Sequence, residues 1–283
     1  MVTFVILHYK SIKDTLSCIQ SIQLLTEEHS IIVVDNHSNI PEDIMKIKAT
    51  GVDFIELKEN IGFAQGNNIG CEVAIRKYKP DFLCVINSDT IINQSDFISK
   101  IYKIHDATKF HVLGPKILPE DLDSSNPFPV YKDLEVVKNK IQYTKRVIRI
   151  YENYFLYCIF KIYSWSKHVF RKKDKLKNGD KRVYDVGLHG CALIFSKTYY
   201  EKYGKDIFYP GTFLYHEEEF LYYRCVKDSL IFIYDPEIEI IHNEGKSLHK
   251  TIKNDRQRSL FRNQEILKSL KKLEKIMEED AEI

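Results

Sequence analysis

Asn87, Ser88 and Asp89 follow five apolar residues in the stretch Phe82–Thr90, FLCVINSDT. A carboxamide, a hydroxyl and a carboxylate at one-residue spacing have two readings. They are turn and N-cap formers, by which a strand hands over to a helix. They are also oxygen ligands that a chain could present to a cation. Open α/β sheets bind ligands beyond the carboxyl ends of their strands, so both readings put the tripeptide in the same place.

Other apolar runs end in the same manner. FVIL is followed by His8-Tyr9, and VV by Asp35 in VVDNHSN. Asp35 could cap a following helix, or accept hydrogen bonds from a pyrimidine imide or ribose hydroxyls. The segment ENIGFAQGNNIG carries Asn60, Asn68, and glycines at 62, 66 and 70. Gly66 and Gly70 suit a helix packed closely on a sheet, whereas Gly62, directly after a strand, suits a backbone that approaches something closely. The segment matches neither GxGxxG nor a phosphate loop ending in GK[ST]. Further on, YHEEEFLYYR sets Glu217, Glu218 and Glu219 before an apolar run. Three glutamates there are favourable to a helix dipole in its first turn. Arg224 is read either as a surface cation of that helix or as a partner that orients the carboxylates.

Elements that must position these groups are legible from periodicity. Strands are predicted at 2–7, 31–34, 52–57 and 82–86, and helices at 12–25, 42–49, 63–78 and 97–105. The alternation predicts βαβ units around a mostly parallel sheet covered on both faces. Residues 114–140 hold Pro115, Pro119, Pro127 and Pro129 and read as an irregular connection. Strands are predicted again at 183–186, 192–195, 230–234 and 238–241, with a helix at 217–226 and an amphipathic helix at 256–277. The chain thus divides into 1–113, an insertion at 114–182, a second half of the same domain at 183–250, and a C-terminal helix in 251–283.

Composition narrows the function classes. Of 283 residues, 44% are hydrophobic, and 42 basic against 40 acidic residues leave a formal charge of +2, with no global pull towards nucleic acid. Six cysteines occur without a CxxC, the usage of small buried hydrophobes in a reducing, cytoplasmic compartment. The first apolar run is short and lacks a basic flank, so a first strand is expected there rather than a signal peptide. No stretch of about 18 uninterrupted apolar residues occurs, and no membrane span is predicted.

With these residues together, the chain resembles family 2 glycosyltransferases of the GT-A fold, in particular the bacterial rhamnosyltransferase-like group. The motifs are FVILHYK, IIVVDNHSN, ENIGFAQGNNIG, FLCVINSDT, GCALIFSK and FLYHEEEFLYYR…YDPEIEIIHNEGKS, in order across 2–113 and 183–245. The resemblance implies a GT-A α/β fold and metal-assisted, inverting sugar transfer from a nucleotide-sugar donor, UDP- or dTDP-linked by preference. The acceptor would be a saccharide or a lipid-linked saccharide of cell-surface polysaccharide. Asn87-Ser88-Asp89 resembles the family's DxD motif with Asn first, which makes Asp89 its one carboxylate. Asp89 with His242 would hold Mn²⁺ or Mg²⁺. His8, Tyr9, Asp35, Asn60, Gly62, Asn68, Asn87 and Ser88 would face the nucleotide. Glu218 falls where the catalytic base sits, with Glu217 its competitor. Gly190-Cys191-Ala192 resembles the strand entry on the acceptor side. The alternatives are a sugar nucleotidyltransferase, or a catalytically weak nucleotide- or glycan-binding partner subunit.

Residues 141–177 fall outside the resemblance. Tyr154–Phe160 is apolar, with Lys145, Arg146 and Arg149 before it and Lys167, Arg171, Lys172, Lys173, Lys175 and Lys177 after it; Trp165 lies between. This is the composition of an interfacial helix on an anionic inner leaflet, giving peripheral contact through 145–177. The other reading is a helical insertion that packs its aromatics on the domain. Single-stranded nucleic acid, the third user of aromatics beside cations, is disfavoured by the overall charge balance.

Overall fold

The computed structural model describes residues 1–118, 126–131, 133–168, 181–243 and 254–281. The first half follows the predicted alternation. It runs β1 (Val2–His8), α1 (Ile12–Gln23), β2 (His29–Asp35), α2 (Pro41–Lys48), β3 (Asp53–Glu56), α3 (Phe63–Tyr78), β4 (Phe82–Asn87), β5 (Thr90–Ile91) and α4 (Phe97–Thr108). Next come β6 (Val112–Leu118), α5 (Leu134–Glu152), α6 (Tyr154–His168), β7 (Val183–Tyr184), β8 (Ala192–Ser196), α7 (Lys197–Tyr203), α8 (Glu217–Lys227), β9 (Phe232–His242) and α9 (Asp255–Ala281).

One sheet joins these strands in the order β3-β2-β1-β4-β8-β6-β9-β5, with β7 beside β9. β1, β2, β3 and β4 are parallel, as expected of near-continuous apolar strands buried on both faces. The second half is mixed rather than parallel: β8 runs antiparallel to both β4 and β6, while β6 and β9 are parallel to each other. Two reversals restore direction, so β9 ends at the same edge as β4, where β8 begins.

Two expectations about strands are corrected. Residues 114–118, read as part of an irregular connection, belong to β6, a strand interior to the sheet. Gly114 and Pro115 hide it, since both are poor strand residues. The strand accommodates them with a register shift between Pro115 and Lys116 opposite β9. The strands predicted at 230–234 and 238–241 are one strand, β9, which runs through Asp235-Pro236 at that irregularity. There Asp235 accepts from Arg182 Nε at 2.6 Å and from the Glu237 N–H at 3.0 Å.

Side chains cover both faces of the sheet. Ile19 and Ile22 of α1 with Phe97, Ile101 and Ile104 of α4 pack on one face; Ala64, Cys71 and Ala74 of α3 with Tyr199 of α7 and Leu221 of α8 pack on the other. Gly66 and Gly70 let α3 approach: a Cβ on either would clash with Leu7 or Val5 at 2.6 and 2.5 Å, far inside van der Waals contact. A third cluster joins Val137 and Ile141 of α5, Phe220 of α8, and Leu270, Leu273 and Met277 of α9. The C-terminal helix therefore covers α5 and α8 with its apolar stripe.

Candidate functional site

The parallel register brings the polar strand ends of the first half together. His8 pairs with Asp35, Asp35 with Glu56, and Leu7 with Asn87. His8 and Asp35 are buried at 0% and 1% exposure, with His8 Nε2 4.0 Å from Asp35 Oδ1. His8 Nδ1 meets Thr15 Oγ1 at 2.7 Å. Tyr9, next along, is half-buried beneath Lys10 Nζ. Both carboxylate oxygens of Asp35 accept the Ser38 N–H, at 3.1 and 3.2 Å. Asp35 thus shapes its own turn and does not cap α2, whose N-cap is Ile40.

Asn36, which the sequence reading passed over beside Asp35, is a clamp. Its Oδ1 accepts the Ile61 N–H at 3.0 Å and its Nδ2 donates to Gly62 O at 3.1 Å. Asn60 Oδ1 accepts the Gly62 N–H at 3.0 Å, closing the same loop from within. Gly62 has φ +88°, and a Cβ there would sit 2.3 Å from Phe213 O. What Gly62 approaches closely is thus the chain itself. Asn68 is also committed internally: its Nδ2 donates to Phe208 O and its Oδ1 accepts the Phe208 N–H, both at 2.8 Å. It is buried in α3 and braces the loop before α8.

Asn87, Ser88 and Asp89 form the half-buried turn between β4 and β5. The turn is real, but it hands β4 over to a strand, β5, rather than to a helix. Asp89 Oδ1 lies 3.2 Å from His242 Nε2, and the Asn243 N–H donates to Asp89 O at 3.0 Å. The pair exists because β5 lies antiparallel to the end of β9, with Thr90 opposite His242. His242 Nδ1 is buried without a hydrogen-bond partner. Among the described residues, no group of three or more His, Cys, Asp or Glu side chains could by itself hold a metal ion.

The acidic run occupies the first turn of α8, as predicted. Glu218 Oε1 accepts the Gly190 N–H at 3.0 Å, and a Cβ on Gly190 would crowd that same oxygen at 2.9 Å. Glu217 is 6% exposed, and its Oε1 has no hydrogen-bond partner. Burial, with the adjacent Glu218 charge second, raises the Glu217 carboxyl above its ordinary range. Glu219 faces His216 Nδ1 at 2.9 Å. Arg224 lies in the last turn of α8, facing neither Glu217 nor Glu218. Its guanidinium donates to Asp206 O at 2.6 Å and Ile207 O at 3.1 Å and stacks 4.4 Å from the Tyr203 ring. It holds the loop after α7, so neither sequence reading of it survives.

Residues 189–191 link the two groups of side chains. The Asn87 N–H donates to Cys191 O at 2.8 Å, Gly190 holds Glu218, and the His189 ring lies 5.8 Å from that of His242. Asn126 fixes the segment from behind, accepting the His189 N–H and donating to Pro115 O, both at 2.8 Å. Neither His189 nor Asn126 carries a local signal; only the strand pairing brings them here.

No protein-family model matches the chain. Among curated proteins, the low-salt glycan biosynthesis hexosyltransferase Agl10 of Haloferax volcanii is 23% identical over 242 residues, 86% of this chain and 67% of that protein. Among solved structures, TarS 1–349 of S. aureus in complex with UDP aligns over 85% of this chain with a TM-score of 0.51 and 12% identity. The chain spans 59% of that TarS structure. The mannosyltransferase PcManGT from Pyrobaculum calidifontis, in complex with GDP-Man and Mn²⁺, aligns over 94% of this chain and 69% of its own, with a TM-score of 0.52 and 11% identity. At such identities the likeness is one of fold. The chain has the α/β fold of GT-A glycosyltransferases.

Proposed function

We propose that the protein is a glycosyltransferase of glycan biosynthesis, moving a sugar from a nucleotide-sugar donor to a saccharide or lipid-linked saccharide with inversion. The observation that carries this reading is the 189–191 segment, which touches the Asp89–His242 side and the Glu217–Glu218 side at once. An acid-base group and a diphosphate-binding group must lie beside each other for one displacement to use both. The neighbours in fold that hold UDP and GDP-Man support a nucleotide-sugar donor.

Glu218 is the base in this proposal. It is half-buried and held by the Gly190 N–H, which steadies its carboxylate where it could take the acceptor hydroxyl proton. Glu217, deeper and harder to ionise, sets the electrostatics beside it. His8, Asp35 and the loop of Asn60 and Gly62 line the nucleotide side; Tyr9, Asn87 and Ser88 complete it.

A divalent ion fits Asp89 and His242. A carboxylate oxygen and an imidazole nitrogen face each other, and Mg²⁺ or Mn²⁺ takes its remaining ligands from phosphates and water. Bound there, such an ion would neutralise charge on the departing nucleoside diphosphate.

Thermal shifts with UDP, dTDP, GDP and CMP and their sugar conjugates, with and without Mn²⁺, test the reading. A ligand that binds only the folded state raises Tm. A metal-dependent rise for one nucleoside diphosphate, followed by sugar transfer, is expected. Binding without turnover under any acceptor would favour the partner-subunit reading instead.

A further inference from the structure

Among the described residues, the first turns of α6 carry several exposed apolar side chains. Asn153 starts the helix, its Oδ1 accepting the N–H groups of Phe155 at 3.0 Å and Leu156 at 3.1 Å. The inner side packs inward: the Tyr157 and Phe160 rings lie 5.5 and 6.0 Å from that of Tyr151 on α5. Arg256 of α9 closes this side, donating to Tyr151 O and Glu152 O and reaching over Tyr154 and Tyr157. The opposite side carries Phe155 at 72% exposure and Ile159 at 49%, with Leu156, 42% exposed, at its edge. Phe155 and Ile159 are one turn apart, so they lie on a single stripe. Tyr154, 69% exposed, borders it.

The charge around this stripe is one-sided. Between Val136 and Lys161 the sequence holds six cations and one carboxylate, Glu152. Arg146 and Arg149 are exposed at the end of α5, and Lys161 is exposed on α6 itself. An exposed apolar stripe on a helix that packs beside the cationic end of α5 is complementary to a surface that is apolar within and anionic at its boundary, which is a bilayer of anionic lipid. No described helix is long and apolar enough to cross a membrane, so contact would lie in the interface plane. A second copy of this face would set its cations against like charges. The packing of aromatics on the domain, the alternative from sequence, holds for the inner side of α6 alone. Arg171, Lys172, Lys173, Lys175 and Lys177 lie outside the described residues, as do the side chains of Trp165 and Lys167.

We propose that the outer face of α6, with Phe155 and Ile159 as its main apolar contacts and Leu156 at its edge, docks this protein on an anionic membrane surface, with Arg146 and Arg149 of the adjoining α5 as the cations.

Co-sedimentation of the full chain with vesicles tests it. The probes are phosphatidylcholine alone and phosphatidylcholine with roughly one-third phosphatidylglycerol. Binding to the anionic vesicles should exceed binding to the neutral ones by about tenfold and weaken with added salt. Phe155→Ser with Ile159→Ser should lower it by about tenfold with Tm unchanged, since both side chains are exposed. Arg146→Glu with Arg149→Glu should remove the preference for anionic lipid. Equal binding of wild type and the serine variant would overturn the proposal. So would light scattering in which the serine substitutions turn a dimer into a monomer, which would assign the face to a second copy. Loss of oligonucleotide binding in the arginine variant, with vesicle binding intact, would equally overturn it.

Discussion

Asp89 Oδ1 and His242 Nε2 lie 3.2 Å apart although 153 residues separate them in sequence. The contact depends on the two-residue strand β5, which turns back against the end of β9. A carboxylate and an imidazole placed so are either a plain hydrogen bond or two ligands of one ion, and the difference is measurable. Asp89→Asn should abolish the Mn²⁺-dependent part of the Tm rise with nucleoside diphosphate and lower transfer roughly 10²-fold. If the nucleotide stabilises both proteins equally with and without Mn²⁺, the pair is only a hydrogen bond.

Glu218→Gln separates chemistry from binding. The amide keeps the acceptor oxygen that Gly190 uses but takes no proton. Transfer should fall by roughly 10²- to 10⁴-fold, with the nucleotide-induced Tm shift unchanged. Glu217→Gln should cost less; the reverse order in initial-rate measurements would make Glu217 the base.

Glu217 also predicts a pH dependence of stability. Its carboxyl is raised in the folded protein above the ordinary 4.5, by burial and then by Glu218. The folded state therefore holds a proton that the unfolded state releases, and stability falls as pH rises above that ordinary value. Below it both states are protonated and no cost appears. Glu217→Gln removes the effect, so the Tm of the variant minus that of wild type should grow from about pH 5 towards neutrality. A difference that is constant with pH would refute the assignment.

Gly62→Ala should destabilise by about 1–3 kcal/mol, because the residue sits at φ +88° and its Cβ would meet the Phe213 carbonyl. Urea unfolding measures the loss. A neutral result would mean that the loop and Phe213 shift apart at little cost.

Asn126→Ala tests the support behind residues 189–191. It strands the His189 N–H and the Pro115 carbonyl in a site where Asn126 is fully buried. A loss of about 1–3 kcal/mol is expected from the unsatisfied groups. Transfer should fall further than the stability loss explains, which a rate assay well below the melting range resolves.

What could be read without the structure was local. The apolar strands β1, β2 and β4, the period of α1 and α9, and the glutamates in the first turn of α8 each state their element within a few residues. The polar ends of the parallel strands follow from the same reading, since parallel strands joined by helices must end at one edge. β6 was illegible because its Gly-Pro centre is a poor strand by every local criterion, and only its two neighbours make it one. Arg224 was misread because four residues of helix say which way a side chain leaves, not which loop will be waiting there.

The sequence by itself therefore determined the βαβ half, the residue types at its carboxyl edge and the motifs that resemble a family. Tertiary structure alone decided which of those groups meet. Asp89 finds His242 and Glu218 finds Gly190 only after β8 has reversed direction between β4 and β6, whereas Asn36 finds the Gly62 loop through the parallel pairing of β2 with β3. Local propensity reaches a few residues along the chain, whereas these contacts are set by strand register, which long-range burial of the two sheet faces enforces.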